Sequence, residues 1–166
     1  MKNKTPKTRK KRKTASILIT NNQKLVKLDR VGLRRGVRKA LELLGVGERE
    51  LSLLFVDDEG IRTINRDYLR RDRPTNVIAF SLSEGSCGEV NPGILGDVVV
   101  SVETAGREAK AAGIPVGDAV LNLTIHGILH LTGYDHEGTG GRARVMSAVQ
   151  EAIVVEIRGY ELAVKL

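Results

Sequence analysis

A helix that is apolar almost all the way round has to be enclosed by the rest of its domain, and Asp118 to Leu131 (DAVLNLTIHGILHL) has that pattern. Only one stripe departs from it. Asn122, His126 and His130 follow one another at intervals of four residues and so line up along a single helical face.

The segments on either side supply elements that can enclose such a helix. Ser16 to Thr20 (SILIT) reads as a first strand, and Leu33, Val37, Leu41 and Leu44 recur at helical spacing up to Gly45. Leu51 to Val56 is a continuous apolar run bounded by Asp57 and Asp58, the pattern of a buried strand. Asp58 is placed to cap a helix running through Tyr68, and Pro74 ends that region. Asn76 to Ser81 (NVIAFS) and Leu95 to Ser101 (LGDVVVS) have the β-branched content of strands and predict a hairpin-like pair around a loop at Gly85 to Gly93. Val102, Ala105, Ala109 and Ala112 predict a helix with a small-residue face, ended by Gly113 and Pro115. A last helix near Arg142 to Ile157 is expected to turn Val145, Met146, Val149, Ile153 and Ile157 inward.

Length and charge narrow the class. A chain of 166 residues fits one domain able to bury a core without disulfides. Cys87 is the only cysteine, which excludes an intramolecular disulfide and a thiolate metal cage. No apolar run reaches the length of a membrane span, and the basic N-terminus has no apolar stretch behind it, so a cytoplasmic protein is expected, with no membrane partner. The net charge of +7 is concentrated at one end. Residues 1–13 hold eight Lys or Arg and no acid, leaving 19 basic against 20 acidic residues, net −1, in the remainder. Residues 1–15 are therefore expected to be a disordered basic tail, and residues 16–166 a single domain. A solubilising extension and an RNA-binding arm both fit that tail. Gly45 and Gly47 form a lone G-x-G, which does not support a dinucleotide site.

All three histidines fall within HGILHLTGYDH, residues 126–136. Random placement would crowd them so with a probability on the order of one per cent. Two histidines at i and i+4 project from adjacent turns toward one ion, and Gly133 lets the chain turn sharply and bring back a third ligand. The alternative, two satisfied core histidines and one surface histidine, leaves the imidazoles of a buried helix with few visible partners. Three neutral imidazoles would keep the full double charge on one zinc ion and leave a fourth position open, although nickel, iron or copper also accept such donors. Asn122 and Asp135 are candidates to orient the ligands from behind, and Asp135 fits an ordinary turn residue equally well.

The spacing H-x-x-x-H-x-x-G-x-x-H matches the metzincin peptidases, in which the residue after the first histidine is a glutamate acting as general base. Here it is Gly127, which argues against peptide hydrolysis. RNA suits the site better, because its own 2′-hydroxyl can act as nucleophile while a cation positions and neutralises the phosphate. Aromatic residues are few and scattered, so no stacking platform for bases is expected.

HGILHLTGYDH resembles the H-G-x-L-H-L-x-G-Y-D-H signature of the YbeY family of bacterial rRNA maturation endoribonucleases. INRDYLRRDRPTNVIAF and LGDVVVSVETA resemble two further family blocks in the same order, and the likeness covers roughly Ser16 to Tyr160. The resemblance implies an α+β fold: a small mixed β-sheet flanked by about five helices, with the metal site on the central buried helix and the turn after it. It implies one Zn2+ held by His126, His130 and His136, and single-strand-selective cleavage of RNA. It further implies a role in maturing the 3′ end of 16S rRNA, and contacts with ribosomal small-subunit components. Many members carry Arg directly after the motif tyrosine, whereas this chain has Leu69 after Tyr68, with Arg70, Arg71 and Arg73 beside it. A shifted guanidinium that grips substrate phosphate and a solvated basic turn are both open readings of these three arginines. A ribosome-assembly factor with a purely structural metal is the alternative from another class.

Overall fold

The computed structural model describes residues 16–82, 91–134 and 140–164. The apolar run at its centre is strand β2 (Glu50–Val56), flanked by β1 (Ile17–Asn21) and β4 (Ile94–Ser101), with β3 (Val77–Ser81) outermost. β1, β2 and β4 are parallel, and β3 runs antiparallel to β4, so the sheet is mixed. Parallel neighbours need crossovers, and helices provide them. α1 (Arg30–Leu43) joins β1 to β2, and α2 (Asp58–Leu69) leads from β2 toward β3. α3 (Val102–Ala112), α4 (Val116–Leu131) and α5 (Gly140–Val164) follow β4. The α+β architecture expected from the resemblance is the one found.

Alternation along the strands sorts the helices into layers. Leu51, Leu53 and Phe55 of β2, with Val98 and Val100 of β4, pack against α1, α3 and α4. Val56, Val99 and Ile78 turn to the other face, under Ile61 of α2. α4 is then covered on its outer side by α5, where Ile125 and Leu129 meet Met146, Ile153 and Ile157. Enclosure between sheet and helix explains why α4 is apolar nearly all round. Each large aliphatic side chain buried there contributes about 1.5–3 kcal/mol. Val145, expected to face inward, is 56% exposed, because the inward stripe of α5 runs through residues 146, 153 and 157.

The helix ends follow local chemistry, with one correction. The cap of α2 is Asp57, whose side chain accepts from the Gly60 N–H at 2.8 Å, and Asp58 lies one residue inside the helix. Asp58 is free to reach across instead. Its Oδ1 accepts from Ser101 Oγ at 2.6 Å and Thr104 Oγ1 at 2.8 Å, and its Oδ2 from Arg107 at 2.6 Å. This ties the start of α2 to the start of α3. Partial burial alone would raise the Asp58 pKa, but the hydrogen bonds from Ser101, Thr104 and Arg107, with the charge of Arg107, outweigh it and hold the carboxyl below its usual 3.8. A depressed carboxyl stabilises the fold above its unfolded pKa, and that contribution is lost as pH falls through the folded value. Asp58→Asn should therefore cost about 1–3 kcal/mol in urea unfolding at neutral pH, and the gap from wild type should close in acid below pH 3.8.

Among the described residues no single helix is long and apolar enough to cross a membrane. The basic tail of residues 1–15, Cys87, Asp135 and His136 lie outside the described residues.

Candidate metal centre

On the histidine stripe of α4, His126 faces α5 and His130 opens beside β3. His126 and His130 are half-buried, and their rings meet edge to face with centroids 4.8 Å apart. Their Nε2 atoms lie 3.2 Å from each other. Two nitrogens bound to one tetrahedral zinc at about 2.05 Å would be about 3.3 Å apart. The pair therefore fits two corners of a zinc site, and the same separation serves an N–H···N hydrogen bond between the rings. Among the described residues no third His, Cys, Asp or Glu joins them.

Behind His126 stands a residue that the sequence reading passed over. The amide of Gln150, on α5, donates from Nε2 to the main-chain carbonyl of Asn122 at 3.2 Å, and its Oε1 lies 3.0 Å from His126 Nδ1. Asn122 thus enters the arrangement through its backbone, where its side chain had been the candidate. A signal for Gln150 was present: it is the polar residue in the stripe Met146, Gln150, Ile153, Ile157 of an otherwise apolar helix face.

C-terminal to His130, α4 ends at Leu131, with Thr132 as its cap. Gly133 has φ +88°, and the Tyr134 N–H donates to the Leu129 carbonyl at 3.0 Å. The sharp turn expected there is present.

Gly127 has a structural cause of its own. A Cβ at this position would lie 2.5 Å from Val98 Cγ1 and 3.1 Å from Val77 Cγ2. Val98 is buried in the sheet and β-branched, so it cannot swing aside. The close approach of α4 to β3 and β4 leaves no room for the glutamate of a metzincin peptidase.

A groove opens from His130 along β3, the outer strand of the sheet, and wraps to the opposite face. Its walls include His130, Leu69, Phe80, Arg71 and Arg73. Register turns alternate residues of the strand away from β4. The Asn76 carbonyl accepts from the Ser101 N–H at 2.9 Å, so residues 76, 78 and 80 pair inward and Ala79 turns its N–H and C=O into the groove. The turn carrying the arginines is held firmly. Buried Asn65 donates to the Arg73 carbonyl at 2.7 Å, and Arg62 grips Asp72 with bonds of 2.8 and 3.2 Å. Hydrogen bonding and charge from Asp72 raise the Arg62 pKa, and the same contact lowers that of Asp72. Arg70 plays a different part. It is the left-handed cap of α2 at φ 60° and does not line the groove. Tyr68, 72% exposed, meets Phe80 edge to face with centroids 5.6 Å apart, an aromatic pairing that spacing in the sequence does not reveal.

The family described as Endoribonuclease YbeY matches residues 18–158. The chain belongs to the YbeY family. A relative named Endoribonuclease YbeY from Syntrophus aciditrophicus is 48% identical over 152 residues, spanning 91% of this chain and 95% of that protein. One of the same name from Geobacter sulfurreducens is 47% identical over 138 residues, spanning 82% and 92%. The solution structure of a protein from Thermotoga maritima shares the fold at TM-score 0.62 and 24% identity, over 89% of this chain and 92% of that one. Leu69 stands in the groove wall, and Arg71 and Arg73 line the same groove two and four residues on.

Proposed function

We propose that the chain is a zinc-dependent endoribonuclease selective for single strands, with one zinc ion held by His126, His130 and His136. The observation that carries this reading is the 3.2 Å separation of the two Nε2 atoms beside a groove furnished with Arg71 and Arg73. Bound zinc supplies a Lewis acid for phosphoryl oxygen and lowers the pKa of water. The chain's own groups do the rest. His126 and His130 fix two coordination directions, and the guanidinium groups of Arg71 and Arg73 grip and neutralise the phosphodiester backbone. An RNA phosphate carries its own neighbouring 2′-hydroxyl as nucleophile, so the reaction does not depend on a carboxylate at 127 to activate an attacking water. Membership in the YbeY family supports the finer reading. The substrate is precursor RNA at the 3′ end of 16S rRNA, and the setting is the cytoplasm, in contact with small-subunit components.

The test uses a labelled single-stranded RNA and protein stripped of metal. Cleavage should vanish on stripping and return with zinc. Arg71→Gln and Arg73→Gln should each weaken RNA binding and reduce the dependence of log affinity on log salt by about 0.7, with zinc content unchanged. Cleavage that persists in full without metal overturns the mechanism. Zinc-dependent RNA binding with no turnover would select the assembly-factor alternative.

A further inference from the structure

We infer that Gln150 is a positioning residue that fixes the tautomer and ring orientation of His126, and so sets the affinity of the site for zinc; this rests on the metal reading above. The argument begins with an amide that cannot be turned round. A carbonyl oxygen only accepts, so the Gln150 atom 3.2 Å from the Asn122 carbonyl has to be the NH2 nitrogen. The other end, Oε1, is then an acceptor, and the His126 Nδ1 that faces it at 3.0 Å must carry a proton. A neutral imidazole has one N–H, so His126 Nε2 presents a lone pair, and presents it toward His130 Nε2 at 3.2 Å.

The consequence is a ring set before any ion arrives. The amide favours this one tautomer and orientation of His126, so an arriving zinc ion meets a lone pair already in place. Groups that hydrogen-bond to the far nitrogen of a ligating histidine change metal affinity by 10–100-fold. The device also spans two helices. His126 is on α4 and Gln150 on α5, and apolar contacts of Ile125 and Leu129 with Met146 and Ile153 clamp the helices together around the pair. The neutral amide orients the ring without adding charge, so the ion keeps its Lewis acidity.

Two readouts test the inference, neither of them catalytic. The first is zinc affinity by competition with a chelator, for wild type, Gln150→Leu and Gln150→Glu. Gln150→Leu should bind zinc 10–100-fold more weakly, while Gln150→Glu, which keeps an acceptor facing Nδ1, should bind at least as tightly as wild type. The second is the nitrogen NMR signature of the histidine tautomers in metal-free wild-type protein, expected to show His126 protonated on Nδ1. Thermal melts of the metal-free variants establish that each is folded, and Gln150→Glu keeps the comparison alive if Gln150→Leu is not. Wild type that fails to bind zinc would sink the metal reading, leaving the NMR signature to judge the tautomer. Tight binding by both wild type and Gln150→Leu, or a wild-type His126 protonated on Nε2, would overturn the role of Gln150 alone.

Discussion

His126→Ala is expected to bring zinc from about one ion per chain to background and to lower RNA cleavage by about 100-fold or more. The effect is large because the loss is not confined to one donor. With His126 gone, the pair of nitrogens 3.2 Å apart is broken, and the proposed three-histidine site is left one donor short of what holds a zinc ion. His130→Ala should behave the same way. The decisive measurement is the double variant. If both imidazoles act through one ion, removing the second costs nothing further, and the combined loss equals that of either single change. Losses that multiply would mean the rings act separately. The fold should survive each change, because neither ring belongs to the apolar clusters that unite the sheet with its helices.

Gly127→Glu is expected to unfold the domain or to leave it with a much lower melting temperature, and to confer no peptidase activity. Even Gly127→Ala is predicted to destabilise. Its helical preference gains about 1 kcal/mol, while forcing a methyl group against Val98 and Val77 costs about 1–3 kcal/mol. The glutamate adds a carboxylate at the buried contact between α4 and the sheet, at a further cost of several kcal/mol. A marginally stable domain has only about 5–15 kcal/mol in hand. Circular dichroism melts read the outcome. A Gly127→Glu protein melting with wild type would show that α4 can stand away from the sheet, and the steric account would fail.

Much of this was legible in the sequence because the relevant signals are local. Histidines at i and i+4 mark one helical face in any context, and Gly133 announces the turn that follows. The strands and helices are bounded by the residues whose chemistry bounds them in the fold, including Ser101, Gly113 and Pro115. What escaped depended on distant segments meeting. Gln150 comes within 3.0 Å of His126 only because α5 folds back over α4. The Tyr68 and Phe80 rings touch because β3 leaves the end of α2 and returns beneath it. Asp58 suits a local cap, and it is the approach of α3, bringing Ser101, Thr104 and Arg107, that draws its carboxylate across the fold instead. Gly127 was read as a missing base, but it is equally a contact surface, which no spacing rule reports.

The outer position of β3 has a consequence for how copies of the protein behave toward one another. A strand on the border of a sheet is a template for association, and proteins blunt such borders with proline and charge. Here Pro74 precedes the strand, and Arg71 and Arg73 flank the groove beside it. A second molecule approaching edge to edge would bring its own cations against these, whereas a polyanion meets no such repulsion. On the proposed function the same guanidinium groups would admit nucleic acid and turn away a second copy, so that neutralising them would endanger solubility as well as grip.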